Sequence, residues 1–182
     1  QRQGSDLATS PVDVAYGSVL TLKSRSYGGG LLHSHVQAYP VGSKQQQVTT
    51  YHHKDHNNDW TFYHPQKSND GINFVHDGDV IKLRHKTTGK LLHSHQVEAP
   101  LTKSDFEVSG YGASDPAKDM EDPNDYWRVE ITSDAHPNGR KERHLRSLST
   151  QFRLKHVTTG CYLRSRNLHL PEWGFRQGEV SC

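Results

Sequence analysis

Leu31-Leu32-His33-Ser34-His35 returns as Leu91-Leu92-His93-Ser94-His95 and, in altered form, as Tyr162-Leu163-Arg164-Ser165-Arg166. Each copy follows a run in which apolar and polar residues alternate: Val19-Leu20-Thr21-Leu22-Lys23, Val80-Ile81-Lys82-Leu83-Arg84 and Phe152-Arg153-Leu154-Lys155. Leu22, Leu83 and Leu154 stand 61 and 71 residues apart, and Leu32, Leu92 and Leu163 stand 60 and 71 apart. A turn separates run and copy, at Gly28-Gly29-Gly30, Thr88-Gly89 and Thr159-Gly160. Farther along, Val48, Val108 and Val180 follow the second leucine by 16, 16 and 17 residues. Asn58-Asp59-Trp60 and Asn124-Asp125-Tyr126-Trp127 then close the first two copies.

Alternation with a period of two, bounded by Gly, Asn, Asp and Pro, is the pattern of half-buried strands, and no helical period is sustained. The class expected is all-β. A unit of about four short strands cannot bury its apolar face alone, so three copies must close on one another. That predicts a β-trefoil with pseudo-threefold symmetry, its repeated valines and leucines meeting near the axis and Trp60 and Trp127 in the core. The alternative arrangement is three tandem hairpin pairs in a sandwich. Residues 1–182 are expected to form a single domain with repeats at about 12–72, 73–145 and 146–182. In the third copy Cys182 falls just after the third strand, so the Trp-bearing last strand is expected to be missing, as in a piece of a longer polypeptide. Asp115–Asp125, which adds about seven residues relative to the first copy, and Asp134–His144, with a turn at Pro137-Asn138-Gly139, are expected to be solvated loops without a function.

Composition narrows the function. The net charge of +2 and the absence of a basic patch argue against a nucleic-acid binder. With 31% hydrophobic residues and a mean hydropathy of −0.89, no stretch approaches the roughly 20 apolar residues of a membrane span. Gln1–Val12 is polar and carries no signal peptide by this reading. There is no Gly-x-Ser-x-Gly, phosphate-binding glycine loop or Cys-x-x-Cys, and no carboxylate pair stands out as catalytic. Asn-x-Ser/Thr sequons are absent, so no N-glycan is expected on this segment.

The Leu-His-Ser-His elements, together with Gln-Gln-Gln-Val-Thr at 45–49, Glu-Ala-Pro-Leu-Thr at 98–102 and Leu-Pro-Glu-Trp-Gly at 170–174, resemble MIR repeats. These are named for protein mannosyltransferases, inositol trisphosphate receptors and ryanodine receptors. The detailed similarity, from about Val12 onward, is to the luminal MIR domain of eukaryotic protein O-mannosyltransferases. Val-Ser-Gly-Tyr-Gly at 108–112 and Glu-Ala-Pro look most like their second subgroup. The resemblance implies a parent protein of the endoplasmic reticulum membrane that transfers mannose from dolichyl phosphate mannose to Ser or Thr. Its catalytic acids lie outside the MIR domain, so this chain is expected to be a non-catalytic luminal module without a cofactor. Its expected partners are mannose-type glycans or Ser/Thr-rich acceptor polypeptides, and a partner transferase subunit. The alternative is an interaction module for subunit pairing or recruitment of unfolded chains.

Sugar recognition needs planar polar groups and an aromatic face. The repeat offers His33, Ser34, His35, Gln47, Tyr51 and Asp55 in the first unit. The second offers His93, Ser94, His95, Glu107, Tyr111 and Asp125, and the third Arg164, Ser165, Arg166, Trp173 and Glu179. Residues i and i+2 of a strand share a face, so His33 neighbours His35 and His93 neighbours His95. Each pair is a possible metal half-site, but zinc requires two further ligands, and no metal is expected. The imidazoles can instead hydrogen-bond backbone and fix the cap hairpins. The third unit has Arg-Ser-Arg in place of His-Ser-His, so the three sites are not chemically equivalent. Cys161 aligns with Lys90 and Cys182 with Gly110, on strands that pair across a hairpin. A disulfide suited to an oxidising lumen is expected there, the alternative being two buried thiols.

Overall fold

The computed structural model describes residues 10–26, 28–135, 137 and 143–182. Strands β1 (Val19–Leu20), β4 (Trp60–Tyr63), β5 (Val80–His85), β8 (Trp127–Asp134) and β9 (Thr150–His156) run antiparallel side by side as a barrel wall. Hairpins β2 (Leu31–Ala38)/β3 (Gln46–Tyr51), β6 (Leu91–Glu98)/β7 (Phe106–Tyr111) and β10 (Arg164–His169)/β11 (Gly178–Ser181) form the cap. The hairpins repeat their register: Leu32 faces Thr50 and Ser34 faces Val48, as Leu92 faces Gly110 and Ser94 faces Val108. The three inner cap strands also pair with one another, through Gln46 with Gly110, Glu179 with Thr49, and Ser181 with Glu107. The all-β trefoil is thus observed, and the sandwich is not.

At the other end of the barrel, three backbone hydrogen bonds form a closed ring. Val14 N–H donates to Leu145 C=O (2.9 Å), Leu145 N–H to Val75 C=O (2.8 Å) and Val75 N–H to Val14 C=O (2.9 Å). The three side chains are buried with Val48, Val108, Val180, Leu32, Leu92, Leu83 and Leu154 in one cluster. Trp60 and Trp127 are fully enclosed, and each indole N–H donates 3.0 Å to the carbonyl of the repeated leucine, Leu32 or Leu92.

Symmetry is least complete in the third unit. Among the described residues β9 pairs with β8 on one side, and on the other it meets only a bridge from Lys155 to Tyr162. Between β9 and the Leu22–Ser26 segment lies a cavity of about 280 Å³, floored by Leu22, Leu32, Phe152, Leu154, Leu163 and Val180. Leu22 and Leu163 are therefore only partly buried, whereas Leu83 and Leu92 are fully buried. No fourth strand of this unit is found among the described residues.

Cys161 and Cys182 form a disulfide with Cα atoms 5.3 Å apart. The repeat shows why the pairing fits: a Cβ built on Gly110, the counterpart of Cys182, would lie 3.2 Å from Cβ of Lys90, the counterpart of Cys161. The bridge anchors the end of β11, and Cys182, the residue that follows the strand, exchanges two backbone hydrogen bonds with Phe106. The Cys161→Ser/Cys182→Ser variant is expected to lose about 3 kcal/mol of unfolding free energy, the loop-closure entropy of a bridge of this span. Urea titration checks it, and an unchanged midpoint would refute it.

The loops resolve differently. Gly28, Gly29 and Gly30 all have positive φ, as the expected turn requires. Of the Pro137-Asn138-Gly139 turn, Asn138 and Gly139 lie outside the described residues. Asp115–Asp125 is pinned rather than free. Asp115 and Asp122 each cap a short 3-10 turn, Pro116–Lys118 and Pro123–Asp125, and Asp119 pairs with Arg84. The turn at Gly89 (φ +76°) lets the loop approach: a Cβ there would lie 2.2 Å from Ser114 C=O.

Candidate functional site

The candidate residues divide by depth. Gln47, Glu107 and Glu179 are buried, and each receives a loop from a neighbouring unit. Glu179 accepts from Leu101 N–H (2.6 Å), Thr102 N–H (3.2 Å) and Thr102 Oγ1 (2.6 Å). Glu107 accepts from Ser43 N–H (3.2 Å) and from its hydroxyl, beside Gly42, where φ is +65° and a Cβ would meet the carboxylate at 2.3 Å. Gln47 is an amide where the other two are carboxylates, and it faces carbonyls: its Nε2 donates to Trp173 C=O (3.0 Å) and Ala38 C=O (2.9 Å). These three side chains, grouped by the sequence with sugar ligands, fasten unit to unit instead. Ser34 and Ser94 are likewise consumed, donating to Gln47 C=O (2.6 Å) and Glu107 C=O (2.9 Å), and Ser165 is buried.

Beneath the two partly open tyrosine rings, one constellation of buried side chains is built twice. Asn58 Nδ2 donates to His53 C=O, so its Oδ1 accepts from His33 Nδ1 at 2.7 Å. His93 Nδ1 makes the same contact to Asp125 Oδ1 at 2.8 Å. Tyr51 lies 4.9 Å from the His33 ring, tilted by 48°, and Tyr111 lies 4.8 Å from His93, tilted by 47°. The buried imidazole holds the 3-10 turn on one side and the tyrosine ring on the other, and 44% of Tyr111 is left open to solvent. Asp55 caps Asn57 N–H at the rim of the first site, as Asp122 caps Asn124 N–H in the second.

The two copies differ in charge. Burial lowers the pKa of His33, which its bond to Asn58 only partly offsets. Burial, reinforced by His33, holds His35 at about 4, so the first pair is neutral. In the second unit His95 Nε2 lies 3.0 Å from Glu107 Oε1, and each histidine therefore faces a carboxylate. Burial raises the pKa of Asp125 despite the opposing bond from His93.

The third unit does not build this arrangement. Arg166 makes a two-bond contact to Asp105 (2.9 and 3.2 Å), which also accepts from Ser181 Oγ (2.7 Å). Burial alone would raise the pKa of Asp105, but these bonds outweigh it and the net direction is down. Arg164 is exposed, and Trp173 packs edge-on against Tyr39 at 6.1 Å.

Among the described residues, neither His-Ser-His pair gathers a metal set by itself. The triplet close enough to share an ion is His93, Asp122 and Asp125, in which His93 Nδ1 is already engaged by Asp125. Two further histidines are structural and were not singled out by sequence. His85 Nε2 donates to Asn57 C=O and His156 Nε2 to Asn124 C=O, both at 2.8 Å, so each Nδ1 accepts from Thr88 or Thr159 at 2.7 Å. Each ring packs on a core tryptophan, at 4.9 Å for Trp60 and 4.8 Å for Trp127. Their signal was legible as His85-Lys-Thr-Thr-Gly89 and His156-Val-Thr-Thr-Gly160.

Comparison with known proteins agrees with this architecture. The MIR domain family matches residues 30–182. The chain is 45% identical over 98% of its length to dolichyl-phosphate-mannose–protein mannosyltransferase 3 of Saccharomyces cerevisiae, covering 24% of that protein. It is 44% identical over 96% of its length to protein O-mannosyl-transferase 2 of Danio rerio, covering 23% of it. Among solved structures, the S. cerevisiae protein O-mannosyltransferase Pmt1–Pmt2 complex bound to the sugar donor aligns with a TM-score of 0.84 at 41% identity, covering 98% of this chain and 25% of that one. The SDF2-like protein of Arabidopsis thaliana aligns at 0.79 and 29% identity, covering 94% of this chain and 88% of that one. The chain thus spans about a quarter of the transferases it matches. A three-unit trefoil, matched over most of its length by that family and by these relatives, belongs to the MIR domain family and corresponds to the MIR region of the protein O-mannosyltransferases.

Proposed function

We propose that this chain is the luminal, non-catalytic MIR module of a protein O-mannosyltransferase of the endoplasmic reticulum. In that reading it binds mannose-type glycan or the Ser/Thr-rich acceptor polypeptide while the remainder of the protein transfers mannose from dolichyl phosphate mannose. The observation that carries the reading is the twice-built constellation of histidine, tyrosine and Asn or Asp. A half-open aromatic face beside fixed polar groups is what a sugar ring needs, and a shallow site of this kind suits millimolar affinity, about 4 kcal/mol. The disulfide suits an oxidising lumen.

Amide NMR titration with methyl α-mannoside and short mannose oligosaccharides tests the reading. The expected result is shifts confined to the cap around His33, Tyr51, His93 and Tyr111. A flat response at tens of millimolar sugar would sink glycan binding. The remaining reading is an interaction module for subunit pairing or recruitment of unfolded chains. It is favoured by Val36, Leu168 and Phe175, apolar side chains exposed at hairpin ends, with Phe175 in the left-handed region at φ 56°.

A further inference from the structure

In the first two units a tryptophan-bearing strand closes the barrel between two neighbours. Trp60 lies opposite Leu20 on one side and His85 on the other, and Trp127 lies opposite Ile81 and His156. Leu20 and Ile81 stand two residues before the repeated leucines Leu22 and Leu83, and His85 and His156 stand two after Leu83 and Leu154. The counterparts in the third unit are Phe152, two before Leu154, and Ser24, two after Leu22. Both line the cavity of about 280 Å³ beside β9. We infer that this groove is a docking site for an extended polypeptide strand from outside residues 1–182, which places a tryptophan between Phe152 and Ser24 and an acidic residue just before it. The inference is independent of the glycan reading above.

The backbone is prepared for such a strand. Lys82 and Arg84 pair with Tyr63 and Thr61, whereas no described residue hydrogen-bonds the N–H or C=O of their counterparts Thr21 and Lys23. An open strand edge takes up a peptide through main-chain hydrogen bonds, and side-chain pockets supply the specificity. The pocket is prepared for an indole. Leu163 N–H donates to Leu154 C=O (3.0 Å), as Leu32 N–H does to Leu22 C=O (2.9 Å). The Leu163 carbonyl therefore corresponds to those of Leu32 and Leu92, which accept from Trp60 and Trp127, and no described residue donates to it.

Charge sets the flank. The lining holds Lys23, Arg25, Arg153 and Arg164 and no carboxylate, and only Arg153 of these has an acidic partner, Glu130, at 3.1 Å. Asp59, the residue before Trp60, accepts from Lys86 N–H (3.0 Å). Lys86 stands three residues after Leu83, as Arg25 does after Leu22, so the residue before the incoming tryptophan arrives beside Arg25. Opposite charges facing each other across a strand pair are favourable. A second copy of this chain does not fit as the donor, because its three tryptophans are all engaged: Trp60 and Trp127 in the core and Trp173 against Tyr39.

The test is NMR titration of the chain with a synthetic peptide of its own residues 57–63, Asn-Asn-Asp-Trp-Thr-Phe-Tyr, and with Trp60→Ala and Asp59→Lys versions of that peptide. Expected are shifts at 21–26, 152–155 and 163, with affinity at least about tenfold lower for the Trp60→Ala peptide. In the Arg25→Glu chain, altered at an exposed residue, the Asp59→Lys peptide is expected to gain about threefold and the unaltered peptide to lose as much. No shifts at about 1 mM peptide, or shifts confined to the cap, would overturn the docking site. Equal binding of the Trp60→Ala peptide would overturn the tryptophan seat, and an unchanged preference in Arg25→Glu the acidic flank. A dimer of the free chain in sedimentation equilibrium, dissociated by the peptide, would make a second copy the occupant and overturn the assignment. The glycan reading stands or falls separately, on the sugar titration.

Discussion

Glu179→Ala is expected to lower the unfolding free energy by about 4 kcal/mol, without needing any ligand to reveal the effect. The carboxylate is 2% exposed and accepts from two backbone N–H groups and one hydroxyl of the Leu101–Thr102 turn. Truncation takes the acceptor from three donors of a partly buried turn, each loss costing roughly 1–3 kcal/mol. Glu179→Gln keeps an acceptor oxygen but brings an NH2 against N–H groups, so it should fall between wild type and Ala. The amide is tolerated at Gln47 only because its neighbours there are carbonyls. Urea denaturation at pH 7 measures both, and a loss below 1 kcal/mol for Glu179→Ala would show that the inter-unit contact is not holding the cap together.

Acid is expected to destabilise the fold well before its carboxylates titrate. Burial holds His35 at about 4 in the folded state, against an ordinary value of about 6.5 in the unfolded chain. The unfolded chain then binds more protons between those values, so the stability His35 contributes is complete above about 6.5 and is lost as pH falls toward 4. By pH 5 this one group costs about 2 kcal/mol, and by pH 4 about 3 kcal/mol. His33, His85 and His156 are lowered by the same burial and act in the same direction. For His85 and His156 the tautomer supplies a further reason: Nδ1 must stay unprotonated to accept from Thr88 and Thr159. Asp125, raised by burial, opposes the trend only near the ordinary carboxylate range. Melting curves from pH 7.5 to 4.5 check this, and a flat melting temperature down to pH 5 would sink it.

The first effect concerns a residue whose chemistry looks functional in sequence and is engaged between units in space. Gln47, Glu107 and Glu179 share the planar polar groups of sugar ligands. Their partners, however, sit in turns of a different unit, 64 residues away for Ser43 and Glu107 and 78 for Leu101 and Glu179. Nothing local marks a side chain that is to be enclosed by a neighbouring repeat. The ring through Val14, Val75 and Leu145 was equally hidden, because it is made by backbone groups that every residue carries. The insertion at Asp115–Asp125 read as a solvated loop because its composition is that of one. Only the Arg84–Asp119 pair and the close approach to Gly89 pin it.

The periodicity of the chain, by contrast, was sufficient for the fold. Leucines and valines recurring at matched offsets in three units must meet in one core, and strand alternation dictates which face they occupy. The same alignment placed Trp60 and Trp127 inside and paired Cys161 with Cys182, because equivalent positions in a closed repeat occupy equivalent space. Burial, charge and access at the candidate sites depended on contacts between units. Three units with similar sequences therefore became a neutral histidine pair, a histidine pair faced by carboxylates and an arginine-tied hairpin. Patterning selects the fold through apolar area, a sum over many residues, whereas a site depends on a few long-range neighbours that only the closed trefoil brings together.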